Sequence, residues 1–208
     1  GFGGTNAAIV LSAADTVPEC AGFHPRRSLT VRTLKISEGR VELDGRTVFA
    51  SDAGFDAFIR EAFKSRGSAN MKFYKMDSAC KLAYVAAEWI LDGIEFGEEE
   101  CAVLMSGRFG SLDTDMNHQS IIDREGDDYA APSVFVYTLP NVAAAEISIR
   151  HHIKGENIWF SDAPMAELRH QAELASARES LKYCLVGRSD FINGEYLAIF
   201  ELLRFGEV

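Results

Sequence analysis

The stretch GENIWFSDAPMAELRHQAEL, residues 155–174, reads as a strand, a sharp turn and a helix. An α/β enzyme often places its nucleophile at such a turn, where the positive end of the helix dipole helps hold a thiolate. Here the turn offers Ala163 and Pro164, and neither can attack a substrate. Two readings stand: an ordinary helix start, since proline suits the first turn, or a site without its reactive residue. The four cysteines, Cys20, Cys80, Cys101 and Cys184, are far apart and form no CxxC pair. That placement fits buried, reduced thiols of a cytoplasmic protein, with bonded pairs as the alternative. Asp113, Asp115 and His118 gather near a helix start, where caps and solvated charge explain them better than a metal ion does.

These residues must be positioned by regular elements. Ile158, Trp159 and Phe160 form a short strand-type run, and Met165, Leu168, Ala172 and Ala175 recur at helical spacing, which predicts a strand over 157–161 and a helix over 164–182. The firmest helix is 75–92, with Met76, Ala79, Cys80, Ala83, Ala86, Ala87 and Ile90 on one face. Helices are also expected over 53–65, over 112–124 and from Pro140 to His152. Strands are expected over 7–11, 28–36, 101–106, 183–187 and 195–205, with 131–141 as a loop. Asp44-Gly45 within 40–49 marks a hairpin. Alternation of strands with crossover helices implies an α/β fold with a mostly parallel mixed sheet covered by helices, its late edge strands antiparallel.

The 208 residues suit a single domain, and a hydrophobic content of 47% is ample for its core. A formal charge of −10 argues against nucleic acid and anionic membranes as partners, since both select basic surfaces. Neither a membrane-length apolar run nor a signal peptide is visible. Residues 1–27 read as a glycine-rich turn, a short strand and a connection, and 28–208 as the domain proper. The chain opens on Gly1, so it is expected to be a processed or excised piece.

The order KFYKMDSACKLAYVAAEWIL, AVLMSGRFGSLDTD, APSVFVYTLPNVAAAEISIRHHIKGEN, strand-turn-helix and LVGRSD resembles the N-terminal half of a β-ketoacyl synthase over residues 70–200. The resemblance implies a thiolase-like half and, in active members, a Thr-Ala-Cys nucleophile turn. Counted from Gly155, that position falls on Asp162, Ala163 and Pro164, with Glu156 in place of a proline. The two catalytic histidines of the family lie in a C-terminal half that this chain lacks, and His118, His151, His152 and His170 do not match them. The opening GFGGTN resembles the family's closing motif. A complete synthase upstream, a rearranged gene and chance are the three accounts of it.

The same resemblance gives roles to two other segments. The strand Asn157, Ile158, Trp159, Phe160 and Ser161 would pair with a second subunit, or else is plain core. Phe135, Val136, Tyr137 and Leu139 would line a partner's acyl pocket, or else bury themselves. The acidic runs Glu98–Glu100 and Asp123–Asp128 would repel an acidic acyl carrier protein, so carrier contact would be indirect. The expected function is a non-catalytic, chain-length-factor-like partner of an active ketosynthase in fatty-acid, polyketide or polyene synthesis, with no cofactor. The alternatives are part of a longer active synthase and an acyl-binding homodimer.

Overall fold

The computed structural model describes residues 24–126 and 132–206. GFGGTN, the expected strand 7–11 and Cys20 lie outside the described residues, as does the expected first segment apart from residues 24–27. Seven strands form one sheet: β1 (Ser28–Ser37), β2 (Arg40–Leu43), β3 (Arg46–Ala50), β4 (Cys101–Gly107), β5 (Asn157–Ser161), β6 (Tyr183–Ile192) and β7 (Glu195–Phe205). Their order is β3-β2-β1-β7-β6-β4-β5. Six helices of the described residues accompany them: α1 (Phe55–Ser65), α2 (Ser78–Ile90), α3 (Leu112–Glu125), α4 (Pro132–Phe135), α5 (Val142–His151) and α6 (Met165–Ala175).

The α/β class and the mixed sheet are as expected, but the sheet is not mostly parallel. Only the β4–β5 and β4–β6 ladders are parallel, and the other four are antiparallel. For three of those four, β1–β2, β2–β3 and β6–β7, the cause is local turn chemistry. Glu38-Gly39, Asp44-Gly45 and Asn193-Gly194 all have positive φ, the geometry of two-residue hairpins, and a hairpin forces its strands antiparallel. β4, β5 and β6 follow one another through helices, and such crossovers let neighbouring strands run parallel. β6 and β7 are antiparallel as expected, but they are not edge strands: β7 lies between β1 and β6, and the edges are β3 and β5.

The main core lies on the face covered by α1, α2 and α5. Its largest buried side chains include Tyr84, Phe58, Phe63 and Phe200. α2 is held at its start by Asp77, whose side chain accepts from the Cys80 N–H at 2.8 Å. A smaller core on the other face joins Leu168 and Ala172 of α6 to Leu104, Val186 and Leu203. Helix α6 is shorter than the expected 164–182. The Ser176 hydroxyl, 2.6 Å from the Glu173 carbonyl and also reached by the Arg26 N–H at 2.7 Å, draws the backbone out of the helix. The expected loop 131–141 contains α4 and a 3-10 turn, Val136–Thr138.

Candidate functional site

The C-terminal ends of β4, β5 and β6 converge, as the parallel order β5-β4-β6 requires. Open α/β sheets place their sites at that end. The turn after β5 carries Asp162 in the left-handed region, at φ 50°. Its N–H donates to the Gly107 carbonyl at 3.0 Å. Arg188 of β6 grips the same turn twice, with 2.7 Å to Asp162 Oδ1 and 2.9 Å to the Ala163 carbonyl. Pro164 follows as the N-cap of α6 and is exposed. The turn is therefore a built elbow, and its tip carries no nucleophile.

The thiols of the described residues belong to other elements. Cys80 lies on α2, Cys101 opens β4 and Cys184 lies on β6, all free and buried. Burial pushes the Cys101 thiol up to about 12 and those of Cys80 and Cys184 well above the ordinary range. Thiols so desolvated are protonated at neutral pH and poor nucleophiles. The histidines are likewise dispersed. His151 reaches Glu88 at 3.2 Å, His152 terminates α5 with φ 54°, His118 lies against the Phe135 ring and His170 is exposed on α6.

Beside the elbow runs the loop after β4. Asp190 of β6 accepts from two successive amides of that loop, Arg108 N–H at 2.6 Å and Phe109 N–H at 3.0 Å. Gly107 is required there, because a Cβ would sit 2.6 Å from the Ser189 carbonyl. The loop leads to Ser111, whose hydroxyl donates to the Thr138 carbonyl at 2.7 Å. Asp113 and Asp115 lie near this loop. Asp113 accepts from the Asn193 N–H at 2.8 Å, and Asp115 lies 3.1 Å from the Ser111 hydroxyl.

Two cavities meet here. A small one of about 10 Å³ is lined by Asp77, Cys80, Ser111, Tyr137, Trp159 and Ser189, and also by Leu139. The Ser189 hydroxyl, on a residue 2% exposed, has no hydrogen-bond partner. An open groove of about 480 Å³ lies on the far side of Tyr137, between Met76, Thr114 and Val134. Asp77 and Tyr137 line both spaces and so form the partition. Asp77 bonds Thr114 Oγ1 at 2.5 Å, and burial raises its carboxyl pKa against the pull of Thr114 and the Cys80 amide. Burial also pushes the Tyr137 phenol up to about 12, leaving a neutral hydroxyl at neutral pH.

Of the four residues expected to line an acyl pocket, Tyr137 borders both spaces and Leu139 the small one. Phe135 and Val136 stand exposed, at 53% and 47%. Strand β5 pairs with β4 on one side, and its other edge has no strand partner among the described residues. Asn157, Ile158 and Ser161 are exposed, while Trp159 packs on the main core and Phe160 on the smaller one. Sequence reasoning gave no role to Arg188, Asp190, Ser111 or Asp77. For Arg188 and Asp190 the available signal was polar residues at the C-terminal end of a strand, in LVGRSD; for Asp77 and Ser111 it was their place just before helix starts.

No protein-family model matches the chain, and no curated protein sequence matches it. Solved structures do. The ishigamide ketosynthase/chain length factor superposes with a TM-score of 0.64 at 14% identity, over 86% of this chain and 62% of that one. A type II polyketide-synthase acyl-carrier protein in complex with its ketosynthase gives 0.63 at 13% identity, over 88% and 64%. A ketosynthase in complex with its chain length factor from Xenorhabdus doucetiae gives 0.58 at 12% identity, over 87% and 80%. This chain thus spans less than two thirds of the length of the first two. The described residues have the fold of the ketosynthases and their chain length factors.

Proposed function

We propose that the chain is a non-catalytic ketosynthase-like protein that pairs with an active ketosynthase and shapes its acyl pocket. The observation that carries this reading is the elbow at Asp162–Pro164. Its backbone is held by Arg188 and Gly107, but Pro164 stands where the resemblance places the nucleophile. Without a reactive thiolate there is no acyl-enzyme, so condensation falls to a partner. The unpaired edge of β5 supplies a docking edge for that partner: backbone groups give affinity, and Ile158, 39% exposed, adds apolar contact. Tyr137 and Leu139 then stand as the pocket wall, and an acyl carrier protein delivers substrate to the partner. No helix of the described residues is long and apolar enough to cross a membrane, and we place the chain in the cytoplasm with its thiols reduced.

The test mixes the purified chain with acyl-carrier substrates, alone and with each ketosynthase of its host. The expected result is no elongation alone, a one-to-one complex with one ketosynthase, and a product-length distribution that depends on this chain. Elongation by the chain alone would overturn the proposal in favour of an active synthase fragment. A stable homodimer that ignores every ketosynthase would overturn it in favour of an acyl-binding protein, with β5 pairing to its own copy.

A further inference from the structure

Tyr137, the partition between the small cavity and the open groove, is not held by its own side chain alone. Its turn is tied to the sheet by a run of hydrogen bonds. The run starts at Asp190 on β6, whose Oδ1 takes the N–H groups of Arg108 and Phe109 at 2.6 and 3.0 Å. Asp190 is fixed in turn, with 18% side-chain exposure and Arg188 Nη2 3.8 Å from its Oδ2. The loop then closes on itself, Leu112 N–H to Phe109 carbonyl at 2.9 Å, which sets Ser111 at the start of α3. Ser111, 8% exposed, has a single hydroxyl proton and two acceptors in reach. Asp115 Oδ2 lies at 3.1 Å and the Thr138 carbonyl at 2.7 Å, so the proton goes to Thr138. Thr138 is the residue after Tyr137 and closes its turn through Oγ1 to the Phe135 carbonyl at 2.7 Å.

We propose that Asp190 and Ser111 are positioning residues for Tyr137. Together they form a strut from β6 to the 136–138 turn that keeps the small cavity and the groove apart. Its consequence for product length rests on the function proposed above; the strut itself does not. With the strut intact, the groove ends at the Tyr137 ring. With it loosened, the turn lifts, Tyr137 leaves the partition, and the groove opens into the space beside Trp159 and Ser189. A longer acyl chain then fits.

The experiment compares Ser111→Ala, Asp190→Ala and Asp190→Asn with the wild type in two readouts. The first is hydrogen exchange of the full chain by mass spectrometry. Loss of one net hydrogen bond multiplies the open population by about fivefold, and exchange in the 134–142 peptide scales with that population. Ser111→Ala is expected to accelerate that peptide about fivefold, and Asp190→Ala, which removes two hydrogen bonds to a carboxylate, by more than that, with α2 peptides unchanged. Asp190→Asn keeps an oxygen for both amides and is expected to exchange like the wild type. The second readout is product length in the complex with the ketosynthase, beside Tyr137→Ala as a direct opening of the partition. Longer products from Ser111→Ala, at unchanged affinity for the ketosynthase, support the inference.

Unchanged exchange in Ser111→Ala overturns the strut. So does acceleration spread over the whole chain, which would mark a general fold defect. If the 134–142 peptide loosens but Tyr137→Ala leaves product length unchanged, the strut stands and the acyl-pocket reading falls. If Tyr137→Ala lengthens products while Ser111→Ala changes neither readout, the acyl-pocket reading stands and the strut falls. Should Asp190→Ala fail to fold, Ser111→Ala still decides the matter, because it removes only the hydroxyl that reaches the Thr138 carbonyl.

Discussion

Helix α5 packs on both α2 and β5, and Glu88 is a polar contact that joins the C-terminal ends of α2 and α5. Its side chain, on α2, is 5% exposed and takes Arg150 Nε at 2.8 Å and Arg150 Nη2 at 3.3 Å. His151 Nε2 lies at 3.2 Å, and the Ser68 hydroxyl completes the shell. Burial pushes the carboxyl pKa up, but the hydrogen bonds from His151, Arg150 and Ser68 outweigh it and hold the value at about 2. An ordinary glutamate in the unfolded chain titrates near 4.5. The folded value is the lower one, so the stabilisation is fully present above the unfolded value and is lost as pH falls towards 2. The difference corresponds to about 3 kcal/mol. Glu88→Gln is expected to lose about that amount at neutral pH, since it leaves Arg150 and His151 facing a neutral amide. With a urea slope of about 2 kcal/mol/M, the unfolding midpoint should fall by about 1.5 M. The gap between wild type and variant should shrink as the pH is lowered from about 5 to about 3. Urea titrations followed by far-UV circular dichroism over that range provide the assay. A midpoint shift under about 0.3 M at neutral pH, or a gap that widens on acidification, would refute the assigned role.

The native thiols give a second prediction. In a Cys20→Ser background, Cys80, Cys101 and Cys184 should react with a disulfide reagent only on unfolding. For Cys101, a pKa of about 12 cuts the thiolate fraction roughly a thousandfold below that of a free cysteine. Gly155→Ala should destabilise the fold by about 2–4 kcal/mol in the same urea assay, because a Cβ there would sit 2.1 Å from the Cys101 carbonyl. Pro164→Cys should create an exposed thiol at the N-terminus of α6 that alkylates faster than any thiol of the described native residues, yet still give no elongation alone. Mass spectrometry of the alkylated chain and an acyl-carrier elongation assay read the two halves of that expectation.

The elements legible in the sequence were those with a strong local signature. Strands 157–161 and 195–205 match β5 and β7 to the residue, and the small-residue face of 75–92 became the most deeply buried helix. Sheet direction was less legible, because Glu38-Gly39 and Asn193-Gly194 are hairpin turns whose positive φ settles the pairing of long strands within two residues. The end of α6 was hidden for another reason. Ser176 stops the helix with help from Arg26, a partner 150 positions away that no periodicity reveals. The site divides in the same way. The elbow was visible from its own residues, whereas the resemblance named Tyr137 together with Phe135, Val136 and Leu139 and did not single out its place between the two cavities. The Asp190–Arg108 and Arg188–Asp162 contacts exist only because the order β5-β4-β6 brings 82- and 26-residue separations together.

The shape of the elbow at Asp162–Pro164 has a physical basis. Holding a non-glycine residue in the left-handed region costs about 1–2 kcal/mol, and Asp162 sits there at φ 50°. The turn is secured from three sides: the Gly107 carbonyl on β4, Arg188 on β6, and Pro164, whose φ of −70° is already set for the helix start. The Arg188 bond to the Ala163 carbonyl and the half-exposed ion pair to Asp162 each contribute about 1 kcal/mol or less, enough together to offset the strained residue. What they stabilise is the relation between β5 and α6, and hence the setting of the unpaired β5 edge. Under the function proposed above, presenting that edge to a partner depends on the elbow's shape and not on a nucleophile at its tip.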